Sequence, residues 1–143
     1  MVADIRIRRS GKLSDIALKA LKAGRELKPI LESVALLFLR EIDLNFVNEG
    51  RPKKWEKSQA ARDRKGQTLQ DTSALRQSIA IKGQVTNTGF TLASGLPYAA
   101  RHHFGDTKKN PFYQMPSRPF LMIPAKQRVK IYELLRKEIE SRF

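Results

Sequence analysis

The chain has 143 residues, of which 41% are hydrophobic, so it has the length for one core and not comfortably for two, and its composition argues against wholesale disorder. It has no cysteine, which removes disulfides, thiolate metal sites and a cysteine nucleophile. No apolar run approaches the roughly 18 residues of a membrane helix, and the start, Met1-Val2-Ala3-Asp4, carries no secretory pattern. Lys and Arg number 28 against 14 acidic residues, and the resulting +14 favours a polyanionic or acidic partner while opposing association through flat basic faces.

In chain order, Val2 to Arg8 alternates Ala3, Ile5 and Ile7 with polar or charged residues, the pattern of a short edge strand. Ser10-Gly11 breaks it, and Leu13 to Gly24 predicts a short helix with Leu13, Ile16, Ala17, Ala20 and Leu21 on one side. A longer helix is predicted over Glu26 to Val47. Its apolar stripe is Leu27, Ile30, Leu31, Val34, Leu37, Phe38, Ile42 and Phe46, with Pro29 tolerated in the first turn. At 1.5 Å per residue such a helix spans on the order of 30 Å, which makes it the spine of the core.

From Arg51 to Gln70 the apolar pattern disappears. Arg51, Lys53, Lys54, Lys57, Arg62, Arg64 and Lys65 outnumber Glu56 and Asp63, and Trp55 is the only hydrophobic anchor before Leu69. The segment reads as an exposed basic excursion with a helical turn starting near Ser58. A short helix follows at Thr72 to Ser78, with Thr72 as cap and Leu75 and Ile79 inward. Ile79, Ile81 and Val85 then lead through Thr86-Asn87-Thr88-Gly89 into Phe90 to Ala93 as a hairpin.

Leu96 to Gly105 predicts a short helix opened by Pro97 and closed by Gly105. Asp106 to Pro119 is a loop broken by Pro111, Phe112, Tyr113 and Pro116, and Ser117 to Leu121 returns to the core. The last helix, from about Pro124 to Ser141, is expected to use Val129, Ile131, Tyr132, Leu134, Leu135 and Ile139 as its inner face. The sum is a single α+β domain: a small antiparallel sheet packed by a long central helix and a C-terminal helix.

Catalytic patterns find little support. His102 and His103 are the only histidines, and adjacent helical residues point about 100° apart, so they do not share a metal easily. Asp106 alone does not complete a site, Glu41 and Asp43 do not pair across a cleft, and Gly11-Lys12 lacks the surroundings of a phosphate loop. The expectation is a protein without enzymatic activity, metal or cofactor. The basic stretch around Trp55 is the better candidate surface, because nucleic-acid grooves combine Lys and Arg with a stacking aromatic. An indole that merely pins a loop is the plainer alternative. Arg118, held extended before Pro119, is placed to reach a carboxylate of its own chain or of a neighbour.

Four segments carry a family likeness. They are Phe46-Val47-Asn48-Glu49-Gly50-Arg51-Pro52 with Trp55 and Ser58; Leu69 to Ile79; Tyr98-Ala99-Ala100-Arg101-His102-His103-Phe104-Gly105; and Met115-Pro116-Ser117-Arg118-Pro119-Phe120-Leu121. In this order and spacing the chain resembles the phage virion morphogenesis family, the tail-completion proteins related to those of Mu-like phages. Departures are small: an extra lysine precedes Trp55, and Ser73 and Ser117 stand where the family more often has Gly and Ala.

The resemblance implies an α+β structural protein at the junction of head and tail, assembled as a ring around the DNA channel, a hexamer by analogy. The expected partners are further copies of the chain, connector or neck proteins, and tail-tube or tail-terminator proteins, with non-specific DNA contact and no membrane. Assembly is expected in the host cytoplasm, and the finished protein in the neck or tail of the virion. Arg51, Lys53, Lys54, Lys57, Arg62, Arg64 and Lys65 are then the candidate DNA- or partner-facing surface. Trp55, Tyr98, His102, His103, Phe104, Arg118 and Phe120 are the candidate interface residues or loop anchors. A non-specific nucleic-acid-binding accessory protein is the alternative function.

Overall fold

A computed structural model describes residues 2–6, 11–69, 74–106 and 115–142. The elements run β1 (Val2–Arg6), α1 (Gly11–Lys22), α2 (Lys28–Val47), α3 (Gln59–Asp63), α4 (Ala74–Ser78), β2 (Ile79–Ile81), β3 (Gly89–Ser94), α5 (Ala99–Phe104) and α6 (Ala125–Arg142). This is the expected α+β architecture. The strands form one antiparallel sheet in the order β1-β3-β2, with Ile5 opposite Phe90 and Ile81 opposite Leu92. β1 is an edge strand, as its charged alternate positions suggest. Ile7 and Arg8, assigned to the same strand from sequence, lie outside the described residues, as do Thr72 and the loop residues Pro111, Phe112 and Tyr113.

The period of two along β3 turns Phe90, Leu92 and Ser94 inward, where they are buried. α2 lies on that face, and Phe38 meets Phe90 edge-on with ring centroids 5.7 Å apart. α1 and α6 complete the helical layer: Ala17 and Ala20 of α1, and Ile131, Leu135 and Ile139 of α6, join the α2 stripe in one core. Gly24 ends α1 at φ 75°, with its N–H and that of Arg25 closing back on the carbonyls of Leu21 and Ala20. No helix among the described residues is long and apolar enough to cross a membrane.

Two details depart from the sequence reading. The inner face of α6 is narrower than expected, because Ile131, Leu135 and Ile139, spaced by four, are buried, while Val129, Tyr132 and Leu134 are 60%, 40% and 52% exposed. One neighbouring layer touches a single stripe of a helix, and those three residues fall outside the stripe. The hairpin also closes differently. β2 ends at Ile81, and Val85 is buried in the connecting loop rather than paired in a strand.

That loop carries Asn87, which bonds to the start of α2. The residue preceding α2, Leu27, offers no capping side chain, and the Oδ1 of Asn87 accepts the N–H groups of Leu27 (2.9 Å) and Lys28 (2.8 Å). The first amides of a helix have no partner within it, and here a loop some sixty residues downstream supplies one.

Candidate functional site

Residues of three of the sequence segments, those around Phe46 to Ser58, Tyr98 to Gly105 and Met115 to Leu121, meet where the end of α2, the chain after it, α5 and residues 115–122 come together; the described part of Leu69 to Ile79 bonds elsewhere, Ser78 to Ser94 and Arg76 to Asp43. The centre is Asn45, a fully buried amide on the apolar stripe of α2. Its Nδ2 donates to the carbonyls of Phe120 (2.7 Å) and Met122 (2.6 Å), and its Oδ1 accepts from Arg51 Nε at 2.9 Å. One side chain thus ties the returning strand-like segment and the start of the basic excursion to α2. A buried amide is tolerated because its hydrogen-bonding capacity is met in this way.

Arg51 completes the knot from the other side. Its Nη2 donates to the carbonyl of Glu41 at 2.6 Å and lies 2.9 Å from Glu41 Oε2. Its side chain is only 16% exposed, so this guanidinium holds the end of α2 rather than facing outward. Gly50 makes the turn that allows it. It sits at φ 112°, and a Cβ there would fall 2.6 Å from the Lys53 carbonyl oxygen and 2.7 Å from the Trp55 nitrogen. The N–H of Trp55 then donates to Glu49 O at 2.7 Å, laying the indole against the core.

Four rings follow in a row. Trp55 meets Phe46 edge-on at 5.7 Å, Phe46 meets Phe120 at 5.6 Å, and Phe120 meets His103 edge-on at 5.2 Å. Phe46 and Phe120 are fully buried, so this row forms the apolar half of the junction.

The rest of the excursion is tied down as well. Ser58 caps α3 by accepting the Ala61 N–H at 3.1 Å, which agrees with the helical turn expected there. Thr68, nearly fully buried, takes the Ser58 N–H on its hydroxyl and gives its own N–H to Glu49 Oε1 at 2.8 Å. Arg64 donates to the carbonyl of Gln67. Lys53, Lys54, Lys57, Arg62 and Lys65 remain exposed, so five of the seven basic side chains named from sequence stand at the surface, with Arg51 turned in and Arg64 folded back.

On the α5 side the backbone carries most of the bonds. Gly105, at φ 75°, lets residues 115–117 approach so closely that a Cβ would lie 2.7 Å from both Met115 O and Ser117 N. Asp106 N–H donates to Met115 O at 2.9 Å, and Asp106 Oδ2 accepts from Met115 N–H at 2.8 Å. Ser117 Oγ donates to His103 O, Arg118 N–H to His102 O, and Leu121 N–H to His103 Nδ1 at 3.3 Å.

Arg118 is 2% exposed, and its Nε donates to the backbone carbonyl of Glu56 at 2.9 Å. Within the chain, then, the acceptor found for this guanidinium is a backbone carbonyl and not a carboxylate. Arg118 bridges the excursion to the α5 junction, which a backbone acceptor does without a second buried charge. The two histidines go separate ways. His103 packs on Phe120 and accepts from Leu121, whereas His102 meets Tyr98 edge-on at 5.7 Å. Tyr98 and Phe104 are 43% and 62% exposed.

Charge follows the packing. Burial lowers the pKa of both histidines, and the nearby Arg118 and Arg101 charges lower that of His102 further. Bonding from Arg101, then from the Met115 amide, holds Asp106 below the usual carboxylate value. A hydrogen-bonded ion pair with Arg76 does the same for Asp43 on α2.

Two grooves flank the junction. One, of about 450 Å³, is walled by Lys53, Lys54, Trp55, Pro116 and Pro119. The other, of about 460 Å³, is walled by Phe38, Ile42, Leu92, Ile123 and Arg128. They share Pro52 and Met122. Asn45, Glu41, Thr68 and Asn87 do not stand out in the sequence as anchors. The one available signal is that Asn45 falls on the apolar stripe three residues after Ile42, where a polar side chain must be buried and bonded.

Fold and site together describe a basic packing module, in which three of the four segments form a structural knot whose polar groups hold backbone in place. A model of the phage virion morphogenesis family matches residues 10–140, and the chain belongs to that family. Membership places it among the structural proteins of phage assembly, associated with the virion. No curated protein and no solved structure matches the chain.

Proposed function

We propose that this protein completes the phage tail or joins it to the head, acting as a ring of identical subunits around the DNA channel. The observation that carries the reading is the division of its surface. The knot presents an excursion bearing Lys53, Lys54, Lys57, Arg62 and Lys65, while at the far end of the ring row, beside His103 and His102, Phe104 of α5 and Tyr98 just before it stand exposed. Large exposed apolar side chains are what subunit contacts cover, and exposed cations suit a channel that carries DNA. Assembly in the host cytoplasm and retention in the neck or tail belong to the same reading.

Native mass spectrometry across concentration and salt tests it. The expected result is a discrete higher oligomer that the surface substitution Phe104→Asp dissociates without unfolding the subunit, together with capture by purified tail-tube or connector protein. A strict monomer at high concentration that binds neither protein contradicts it. The exposed cations also suit a non-specific nucleic-acid-binding accessory protein. That reading takes precedence if the isolated protein retains DNA at physiological salt in the absence of other virion proteins.

A further inference from the structure

The two grooves beside the knot adjoin, since Pro52 and Met122 line both, and they measure about 450 Å³ and about 460 Å³. They differ in chemistry. The one that reaches Leu92 of the sheet is lined by Phe38, Ile42, Leu92 and Ile123, with Arg128. The other is lined by Trp55, Pro116 and Pro119 together with Lys53 and Lys54, and Glu56 is the one acidic residue among the described residues of either lining. We propose that the two grooves form one path and that this path is the docking site for an extended segment of another protein, apolar where it lies on the sheet side and acidic where it passes Lys53 and Lys54.

Charge complementarity selects the occupant. The lining cations outnumber Glu56, and the whole chain is at +14, so an acidic ligand gains attraction along its entire approach. A second copy is the poorer donor of an acidic segment, since its 14 acidic residues are outnumbered by 28 basic ones, and the ring contacts of the reading above use other faces. Nucleic acid fits less well than protein. The indole of Trp55 is held edge-on by Phe46, at 5.7 Å and 82°, and much of the lining is proline and aliphatic carbon that offers no donors to phosphates. An extended peptide instead needs apolar pockets for alternate side chains and a rim that fixes its direction, and the path supplies both. Rigidity adds to the fit, because Asn45 holds the Met122 carbonyl, Arg118 holds that of Glu56, and Arg51 is itself pinned by Asn45 Oδ1, which reduces the ordering cost on binding. The site deepens the assembly role above, since its occupant there is a segment of another virion protein.

A library of random 12-residue peptides selected against the purified protein tests the proposal apart from any assembly assay. Enriched peptides should pair Asp or Glu with large apolar residues. Their affinity should fall on the order of tenfold in Lys53→Glu/Lys54→Glu, which reverses the rim, and in Ala125→Trp, which fills the sheet-side half. Lys53, Lys54 and Ala125 are exposed, so both variants are expected to keep the wild-type circular dichroism and melting temperature. The proposal is overturned if no peptide enriches, or if the enriched peptides lack acidic residues or bind both variants unchanged. It is overturned in favour of nucleic acid if a 20-nucleotide single strand binds at physiological salt and only that binding needs Lys53 and Lys54. It is overturned in favour of self-association if Lys53→Glu/Lys54→Glu instead dissociates an oligomer. A wild-type protein that forms the ring but enriches no such peptide sinks this site alone, whereas a monomer that binds such peptides sinks the ring and leaves the site standing.

Discussion

Single residues decide the knot, and Asn45 decides most. Asn45→Leu keeps the size of the side chain but strands the carbonyls of Phe120 and Met122 and the Nε of Arg51. The cost is expected at about 2–4 kcal/mol in urea unfolding, well above the typical substitution. Gly105→Ala should destabilise by about 1–3 kcal/mol, because at φ 75° and ψ −175° the backbone is in a region that glycine alone adopts readily and the added Cβ meets Met115 and Ser117.

The histidines make stability depend on pH in a definite direction. Their folded pKa values lie below the unfolded value of 6.5, so the unfolded chain binds more protons as pH falls. Stability is therefore complete above that value and lost on acidification through it. A melting series between about pH 7.5 and 5 should show the loss, and His103→Asn, which offers Leu121 an acceptor that does not titrate, should reduce it. Asp43 and Asp106 are lowered from 3.8, so their contribution is lost only in a separate, more acid window.

At the scale of elements, what the sequence makes visible is local and what it hides is the long-range bond. Periodicity is enough to find α2 and α6, because a helix that buries one face repeats every three to four residues. It overstates the buried face of α6, since Val129, Tyr132 and Leu134 are apolar and yet face away from the single layer that α6 touches. Asn87 reads as a turn residue, which it also is, and nothing local reveals that its amide caps α2. Asn87→Ala should cost about 1 kcal/mol while leaving the helix content nearly unchanged, measurable by denaturant unfolding followed by circular dichroism.

The same contrast divides the site. Trp55, Phe120 and the glycines are legible because aromatics and Gly stand out in a polar stretch. The inward turn of Arg51 is not legible, because a cation in a run of cations looks solvated until Glu41 and Asn45 are seen beneath it. Arg118 misleads in the opposite way. A buried guanidinium suggests a carboxylate, and a backbone carbonyl serves instead.

At the scale of the whole molecule, the +14 charge and the knot bear on one question, which is how a basic protein assembles with its neighbours. Charge of this size weakens contacts between identical subunits, and an anion or an acidic protein between their basic faces relieves the repulsion. Self-assembly should therefore strengthen when polyanion or acidic partner is added, and sedimentation with and without short duplex DNA or tail-tube protein reads this out. The reading as a tail-completion protein is tested most directly by electron microscopy of the particles made when a stop codon ends the gene early. Filled heads beside tails that fail to join or end unevenly are expected, with restored particles when the protein is supplied in trans. Normal, infectious particles in the absence of the protein would contradict that reading.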